Sequence, residues 1–356
     1  MFQQWQQQIA HAAANDVHLR IRGSGSKDFY GEQAAFDAVL HTRDYAGIVD
    51  YDPAELVLTA RCGTRLADIA AALDECGQML AFEPPFFGAH ATVGGCVAAG
   101  LAGPRRAQAG AVKDFVLGAQ LLDGRGQCLN FGGRVMKNVA GYDVSRLLAG
   151  SLGTLGLITE VSLKVLPQPP AQATLQFHLP QAAAIEKLNA WHGQPLPLSG
   201  SLWTQGVLSL RLGGAAAAVS AACAALGGEL LPPGEAAMLW YGVREQTLPF
   251  FNDLAAGERL WRLSLPDTTA PLALKGAVLL EWGGGQRWYR TDADAAPIRA
   301  AAQKAGGHAT LFRGTPRQGE TVFTPLPTAL MSIHRRLKHT FDPHNVFNFG
   351  RMYAGF

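Results

Sequence analysis

Closely spaced cysteines are missing from this 356-residue sequence. Iron–sulfur clusters and structural zinc sites usually depend on cysteine pairs such as CxxC. The cysteines here stand singly, at Cys62, Cys76, Cys96, Cys128 and Cys223. We therefore expect no cluster and no other metal site in this chain. Isolated thiols are typical of a protein kept in a reducing cytosol.

Charge of one sign and long apolar runs are also scarce. The formal net charge is +2 without any basic run, so the sequence does not predict nucleic-acid binding. Residues 1–14 are rich in glutamine and lack the basic start and apolar stretch of a secretory signal. Leu212–Gly228, an alanine-rich stretch, falls short of the roughly 20 apolar residues of a spanning helix. We expect a cytoplasmic protein whose contact with the inner membrane, if any, is peripheral and made through partners.

Periodicity and turn residues predict two α+β domains. A helix at Phe2–Asn15 leads into a strand at Leu19–Arg22, and Thr64 is expected to cap a further helix that stops at Gly77. Asp123-Gly124 predicts a hairpin turn. The prolines in 167–170 break regular structure. We therefore place a first domain at 1–166, a second α+β domain at 171–324 and a C-terminal segment at 325–356.

Three glycine-rich segments could let backbone approach a phosphate or a flat ring. The first is Arg22–Lys27, a turn after a strand in which glycines, serines and cations could form an anion-binding nest. The second surrounds Thr92–Gly95, and the third is Gly150–Glu160. Each alone has an ordinary structural explanation, as a tight turn or close helix–sheet packing.

Two common nucleotide-binding loops are disfavoured by spacing. A dinucleotide GxGxxG motif would need glycine at position 28, where Asp28 stands. A Walker A loop would need glycine before the lysine, but Ser26 precedes Lys27. We therefore do not expect a nicotinamide-type Rossmann domain.

Taken together and in order, the glycine segments resemble the FAD-binding domain of the vanillyl-alcohol-oxidase/PCMH superfamily. Further motifs narrow the resemblance to the FAD-binding subunit of bacterial glycolate oxidase, over essentially the whole chain. These motifs are Gly103–Arg106, Lys137–Asp143, Phe341-Asp342-Pro343 and Phe347–Arg351. The resemblance implies an α+β fold: a PCMH-type FAD-binding domain of two α+β subdomains, an α+β cap domain, and a C-terminal segment that returns to the FAD domain.

The resemblance also implies which residues hold FAD. Arg22–Lys27 would bind the pyrophosphate, and Thr92–Gly95 would lie by the pyrophosphate and the ribityl chain. Gly150–Thr159 would run beside the cofactor, and Asp143 would share the pocket. The full implied set is Arg22, Gly23, Ser24, Gly25, Ser26, Lys27, Pro85, Thr92, Val93, Gly94, Gly95, Asp143, Gly150, Gly153, Gly156, Ile158 and Thr159. Because the first loop contains no histidine for covalent attachment, we expect non-covalent FAD.

One departure from related 2-hydroxy-acid dehydrogenases concerns catalysis. Their cap carries an HxGDGN segment that supplies a base, and nothing similar occurs between Ala171 and Phe323. Isolated histidines are interpreted as structural, with a hidden base to be sought first at His178, His308 and Tyr289. Cations that could bind a substrate carboxylate are Arg105, Arg106, Lys113, Lys137 and Arg351; at least one of the pair Arg105-Arg106 is expected on the solvated surface.

The resemblance thus predicts a subunit that takes part in oxidising glycolate to glyoxylate by flavin-mediated electron transfer. Its expected partners are a catalytic FAD-containing paralogous subunit and an iron–sulfur subunit. Two alternatives stay open: a self-sufficient FAD-dependent dehydrogenase of a small 2-hydroxy acid, and a non-catalytic flavoprotein scaffold.

Overall fold

The computed structural model describes residues 1–133 and 143–356, which divide into two compact units. Unit 1 comprises Met1–Leu101, Ala111–Pro167 and Pro325–Phe356. Unit 2 comprises Ala102–Gly110 and Gln168–Thr324. Each unit combines a mainly antiparallel sheet with helices, so the predicted α+β class is confirmed.

The predicted helix at Phe2–Asn15 and strand at Leu19–Arg22 are present with the predicted bounds. The strands are β1 (Leu19–Arg22), β2 (Ala38–His41), β3 (Ile48–Asp52), β4 (Val57–Arg61), β5 (Gln78–Met79), β6 (Val116–Leu122), β7 (Cys128–Gly132), β8 (Leu157–Lys164), β9 (Leu166–Pro167), β10 (Ala171–His178), β11 (Leu198–Thr204), β12 (Val207–Gly214), β13 (Glu229–Leu230), β14 (Arg259–Ser264), β15 (Ala277–Glu281), β16 (Gln286–Thr291) and β17 (His308–Arg313). The helices are α1 (Phe2–Asn15), α2 (Leu66–Asp74), α3 (Val93–Ala99), α4 (Arg106–Ala109), α5 (Gln181–His192), α6 (Ala216–Leu226), α7 (Pro233–Glu245), α8 (Pro249–Asn252), α9 (Ala295–Lys304) and α10 (Thr328–Phe341). Within the described ranges, none of these helices has the length and apolar character needed to cross a bilayer.

Unit 1 is built on an antiparallel sheet in the order β3-β4-β8-β6-β7, beside a parallel pair, β1 and β2. Helix α1 buries Trp5 and Ile9 in a core that also contains Leu19. The C-terminal segment contributes Val346 and Phe347 to the same core. The backbone N–H of Leu19 donates to the Val346 carbonyl at 2.6 Å, so the segment is tied to the start of β1.

Two local predictions have opposite outcomes. The hairpin at Asp123-Gly124 is confirmed, because β6 and β7 pair antiparallel on either side of it. The prediction that Thr64 caps α2 is wrong, since the N-cap is Arg65. The Thr64 hydroxyl instead donates to the Arg61 carbonyl at 2.7 Å and accepts from the Gly47 N–H at 2.9 Å. The hydrogen bonds of the Thr64 hydroxyl therefore stabilise the end of β4 and do not cap α2.

Unit 2 is an eight-stranded antiparallel sheet in the order β13-β10-β12-β11-β15-β16-β14-β17. Helices α5 and α6 bury Leu188 and Val219 in one core, and α9 buries Ile298 against Trp261 in another.

Residues 102–110 group with unit 2, although the sequence placed them within the first domain at 1–166. Two contacts explain the difference. The Trp282 indole donates to the Gly103 carbonyl at 3.0 Å. The guanidinium of Arg106 lies over the Trp282 ring, 4.4 Å from its centroid.

Candidate cofactor site

A cleft in unit 1 brings together parts of all three predicted glycine segments. It encloses about 740 Å³ of empty space, part of it open to solvent. It is lined by Ile21, Arg22, Gly23, Ser24, Gly25, Ser26, Lys27, Asp28, Thr42, Cys62, Thr92, Gly94, Gly95, Ala98, Ala99, Leu152, Gly153, Gly156, Leu157, Ile158, Asn348 and Arg351. One part of this lining is charged and rich in hydroxyls, and another is formed by small and aliphatic side chains.

The first loop, Gly23–Lys27, presents backbone donors at the cleft. Within the described residues, the N–H groups of Gly23, Ser24 and Gly25 donate to no protein acceptor. Nearly all backbone N–H groups in proteins find an acceptor in protein, water or ligand. Successive unpaired amides in a turn form a concave site for an anion. The loop is therefore suited to bind a phosphate group.

Two glycines in this loop are required by its geometry. A Cβ at Gly23 would lie 2.4 Å from Oγ1 of Thr92, so the loop could not approach the second segment. Gly25 has a φ of +81°, and a Cβ there would lie 2.6 Å from Nη2 of Arg22 and 2.9 Å from Oδ2 of Asp28. Glycine avoids both the strain and the clash.

Cations around the loop outnumber its acids. Asp28 pairs with Arg22 at 2.8 Å and with Arg20 at 3.0 Å. Lys27 donates to the Phe86 carbonyl at 3.3 Å. Arg22, Lys27 and Arg351 line the cleft together with the single carboxylate of Asp28. The lining therefore carries a formal charge that matches a diphosphate, which has about two negative charges at neutral pH.

The second segment begins a short helix, α3. Thr92 is the N-cap of α3, and its hydroxyl accepts from the Gly95 N–H at 3.4 Å. Cys62 lies beside this helix: a Cβ at Gly94 would be 2.7 Å from that of Cys62. Burial raises the pKa of Cys62 to about 12, so this cleft residue is a neutral thiol at pH 7.

The structure places most of the sequence-predicted FAD residues on the cleft and some elsewhere. Arg22 to Lys27, Thr92, Gly94, Gly95, Gly153, Gly156 and Ile158 line it. Five others do not line it: Pro85, Val93, Asp143, Gly150 and Thr159.

Each of the five has another environment. Val93 is fully buried in α3, and Pro85 is also buried. The Thr159 hydroxyl donates to the side chain of Gln120 at 2.9 Å. Gly150 donates to the Val97 carbonyl at 2.9 Å, which joins the third segment to α3. Asp143 is exposed and pairs with Arg146 at 2.6 Å.

Sequence reasoning did not assign several lining residues to the cofactor, among them Thr42, Cys62, Leu152 and Asn348. For Arg351 the sequence predicts only a cation that could bind a substrate carboxylate. Asn348 and Arg351 lie in the motif Phe347–Arg351, whose polar residues around a glycine were the signal that could have found them. Lys137 and the rest of residues 134–142 lie outside the described residues.

The candidate substrate-binding cations of unit 2 are not free surface groups. Arg105 is buried, with 8% of its surface exposed, and Arg106 is half-buried against Trp282. The expectation that one of the pair lies on the solvated surface is therefore wrong. Packing against the Trp282 indole explains the partial burial of Arg106, because guanidinium groups stack well on aromatic faces.

The candidate bases of unit 2 are scattered. Tyr289 is 2% exposed, and burial raises its pKa, so it is a poor proton acceptor at neutral pH. His178 ends β10 and His308 begins β17, on different strands of the sheet. Neither histidine bonds a carboxylate within the described residues, whereas catalytic histidines are commonly oriented by one.

Comparison with known proteins agrees with this geometry. A family model described as an FAD binding domain matches residues 3–132. Over 348 residues the chain is 47% identical to glycolate oxidase subunit GlcE of Escherichia coli (strain K12), covering 98% of this chain and 96% of that protein. Over 128 residues it is 33% identical to glycolate oxidase subunit GlcD of Bacillus subtilis (strain 168), covering 36% of this chain and 27% of that protein.

A solved structure, alkyldihydroxyacetonephosphate synthase, superimposes with a TM-score of 0.64 at 15% identity, covering 96% of this chain and 73% of the other. At that identity the likeness shows a shared fold alone. Fold, family match and cleft together define the class of protein, an FAD-dependent flavoprotein with a PCMH-type domain. Within that class, the chain belongs to the family of glycolate oxidase subunit GlcE, as its motifs predicted.

Proposed function

We propose that this chain is the FAD-carrying subunit of a glycolate-oxidising complex and holds FAD non-covalently in the unit 1 cleft. Its partners are a catalytic FAD-containing paralogue and an iron–sulfur subunit. The relatives named as glycolate oxidase subunits support the substrate and the assembly. The cluster is assigned to a partner because the cysteines of this chain stand far apart in sequence, and Cys62 and Cys96 are buried.

The observation that carries the proposal is the first loop. Three backbone N–H groups that have no protein acceptor among the described residues adjoin Arg22 and Lys27, which suits a diphosphate. The aliphatic side chains of Leu152, Leu157 and Ile158 suit the flat ring of a flavin. Bound FAD supplies hydride and electron transfer. The chain's own part is to bind and orient it and to exclude water from its apolar side.

The side chains around the cleft support non-covalent binding. Covalent attachment needs a nucleophile such as histidine or a reactive cysteine near the flavin ring. No histidine lines the described cleft, and its cysteine, Cys62, has its pKa raised to about 12 by burial. A neutral thiol is a weak nucleophile.

The surroundings of the candidate bases among the described residues support a division of labour within the complex. Oxidation of a 2-hydroxy acid requires a group that accepts the hydroxyl proton. Neither Tyr289 nor the isolated histidines His178 and His308 have the surroundings of a general base. We therefore infer that electrons from glycolate reach this chain through its partners.

Anaerobic stopped-flow mixing with glycolate tests this division. The flavin absorbance of the isolated chain and of the assembled complex is followed after mixing. Loss of a general base typically costs about 10²–10⁴-fold in rate, so the isolated chain should bleach at least that much more slowly than the complex. Equally fast bleaching of the isolated chain would contradict the proposal and favour a self-sufficient dehydrogenase.

A further inference from the structure

Two residues of the C-terminal segment, Asn348 and Arg351, line the cofactor cleft. They follow α10, which ends at Phe341, and come from a part of the sequence remote from the glycine segments. Both bond to the backbone of the loops that form the cleft. Their position indicates that the C-terminal segment forms part of the cleft wall.

Asn348 connects β1, which leads into the first glycine segment, to the third segment. Its Oδ1 accepts from the N–H of Ile21 in β1 at 2.9 Å, and its Nδ2 donates to the Leu152 carbonyl at 2.6 Å. Its backbone has a φ of +44°, a left-handed conformation that asparagine tolerates better than most residues. The side chain is buried, so both bonds are shielded from water. Asn348 therefore fixes the spacing of the two segments that border the cleft.

Arg351 reaches the first loop. Its Nη2 donates to the carbonyls of Lys27 at 3.2 Å and Tyr30 at 3.0 Å. Within the described residues these are the only hydrogen bonds of the guanidinium, which leaves Nε and Nη1 for another acceptor. Its backbone carbonyl accepts from the Glu32 N–H at 2.8 Å, which fixes the residue at the loop from both ends.

The charge of Arg351 would be stabilised by a bound anion. Burial, together with the nearby charge of Arg20, lowers its pKa to about 10, while Asp28 acts in the opposite direction. The group is still protonated at pH 7. Asp28 is already shared by Arg20 and Arg22. A desolvated cation without an acid of its own is costly unless a ligand supplies the negative charge.

We propose that the C-terminal segment Asn348–Arg351 completes the cofactor site. Arg351 binds the diphosphate of FAD directly, and Asn348 positions the two loops around it. This inference rests on the proposed function, because it takes FAD as the ligand. It predicts that FAD binding and docking of the C-terminal segment stabilise each other, since each supplies contacts to the other.

Equilibrium titration of the apoprotein with FAD, followed by flavin fluorescence, tests the role of Arg351. The Arg351→Gln variant should bind FAD about 10- to 100-fold more weakly, the usual effect of losing a charged hydrogen bond. Arg335→Gln is the matched control, because Arg335 is exposed on α10 and does not line the cleft. Its dissociation constant should stay within about twofold of wild type.

The salt dependence of FAD affinity distinguishes direct binding of the diphosphate by Arg351 from a purely structural role of this residue. If Arg351 neutralises the diphosphate, the affinity of Arg351→Gln for FAD should fall less steeply with added salt than that of wild type. Weaker binding with an unchanged salt dependence would show that Arg351 only supports the loop, and would overturn the direct contact. Arg351→Lys, which keeps the charge, should retain the wild-type salt dependence.

Hydrogen exchange of the wild-type chain gives a test that no misfolded variant can obscure. FAD should slow amide exchange in residues 345–353, whereas exchange in α5 of unit 2 should not change. Unchanged exchange in 345–353 at saturating FAD, or wild-type affinity in Arg351→Gln, would overturn this inference alone. Failure of the wild-type chain to bind FAD would instead refute the proposed function, and this inference with it.

Discussion

Replacement of Asp342 by asparagine should strongly destabilise unit 1. Lys338 and Asp342 form an ion pair at 2.6 Å, with side chains only 3% and 0% exposed. The Lys338 ammonium also donates to the carbonyls of Thr154 at 2.7 Å and Phe347 at 2.8 Å. Asp342 accepts from the N–H groups of Val346 at 2.9 Å and Phe347 at 2.8 Å. The pair therefore joins α10, the third glycine segment and the C-terminal segment.

The magnitude follows from the burial of the pair. Asparagine keeps the shape of Asp342 but leaves the Lys338 charge without a counter-charge. Burial already lowers the pKa of Lys338, and Asp342 offsets that effect. Breaking a buried pair by removing one partner costs about 3–5 kcal/mol. In a unit of this size each kcal/mol lowers Tm by about 2–4 °C, so a loss of about 6–20 °C is expected.

Thermal and urea unfolding, followed by circular dichroism, measure this loss. Arg336→Gln on the exposed face of α10 is the control, because Arg336 forms no ion pair within the described residues. It should change the free energy of unfolding by less than about 0.5 kcal/mol. The reasoning fails if Asp342→Asn is as stable as this control.

Three further predictions concern other parts of the chain. In unit 2, burial raises the pKa of Glu320, but hydrogen bonds from Arg259 and from the amides of Arg317 and Ala295 have the larger, opposite effect. The net result is a pKa lowered to about 2. This stabilisation, about 3 kcal/mol, is present above pH 4.5 and is lost as the pH falls through 2, so Glu320→Gln should be less stable than wild type at pH 7 and equal to it below pH 2 in urea unfolding. A 1–164 fragment should be unstable, because it lacks Val346 and Phe347 of the unit 1 core. A soluble, flavin-bound fragment with cooperative melting would contradict this packing. Iodoacetamide should modify the exposed Cys76 and Cys128 before the buried Cys62 and Cys96, as mass spectrometry of the digested protein would show.

Elements with strong local patterns could be predicted from the sequence. The bounds of α1 and β1 agree with prediction, because apolar spacing and flanking turn residues mark them. β3 was missed because it is an exposed edge strand without alternating burial. α3 has little helical signal in the sequence because glycines are poor helix formers, yet Thr92 caps it and its Val93 and Val97 are buried.

The cofactor loop could be predicted, but not the residues that the chain brings to it from elsewhere. Gly23 and Gly25 are recognisable because a turn rich in serine, glycine and cations follows a strand. Arg351 contacts the carbonyl of Lys27 across 324 positions of sequence. The motif Phe347–Arg351 marks the segment, but no local pattern shows which loop the segment reaches. The same holds for Cys62, whose place beside Gly94 depends on the packing of β4 against α3.

The ratio of FAD to protein is the measurement that tests the central claim most directly. Wild type and Gly25→Val are precipitated with acid, and FAD is measured by absorbance in the supernatant and the pellet. Gly77→Val is the matched control, because Gly77 also has a positive φ, +61°, but has open space around it. We expect about one FAD per chain in the supernatant for wild type and for the control. Gly25→Val should retain less than about a tenth, because its side chain would displace Arg22 and Asp28 from the loop. Wild-type FAD content in Gly25→Val, or flavin that stays in the pellet, would contradict a non-covalent site at this loop.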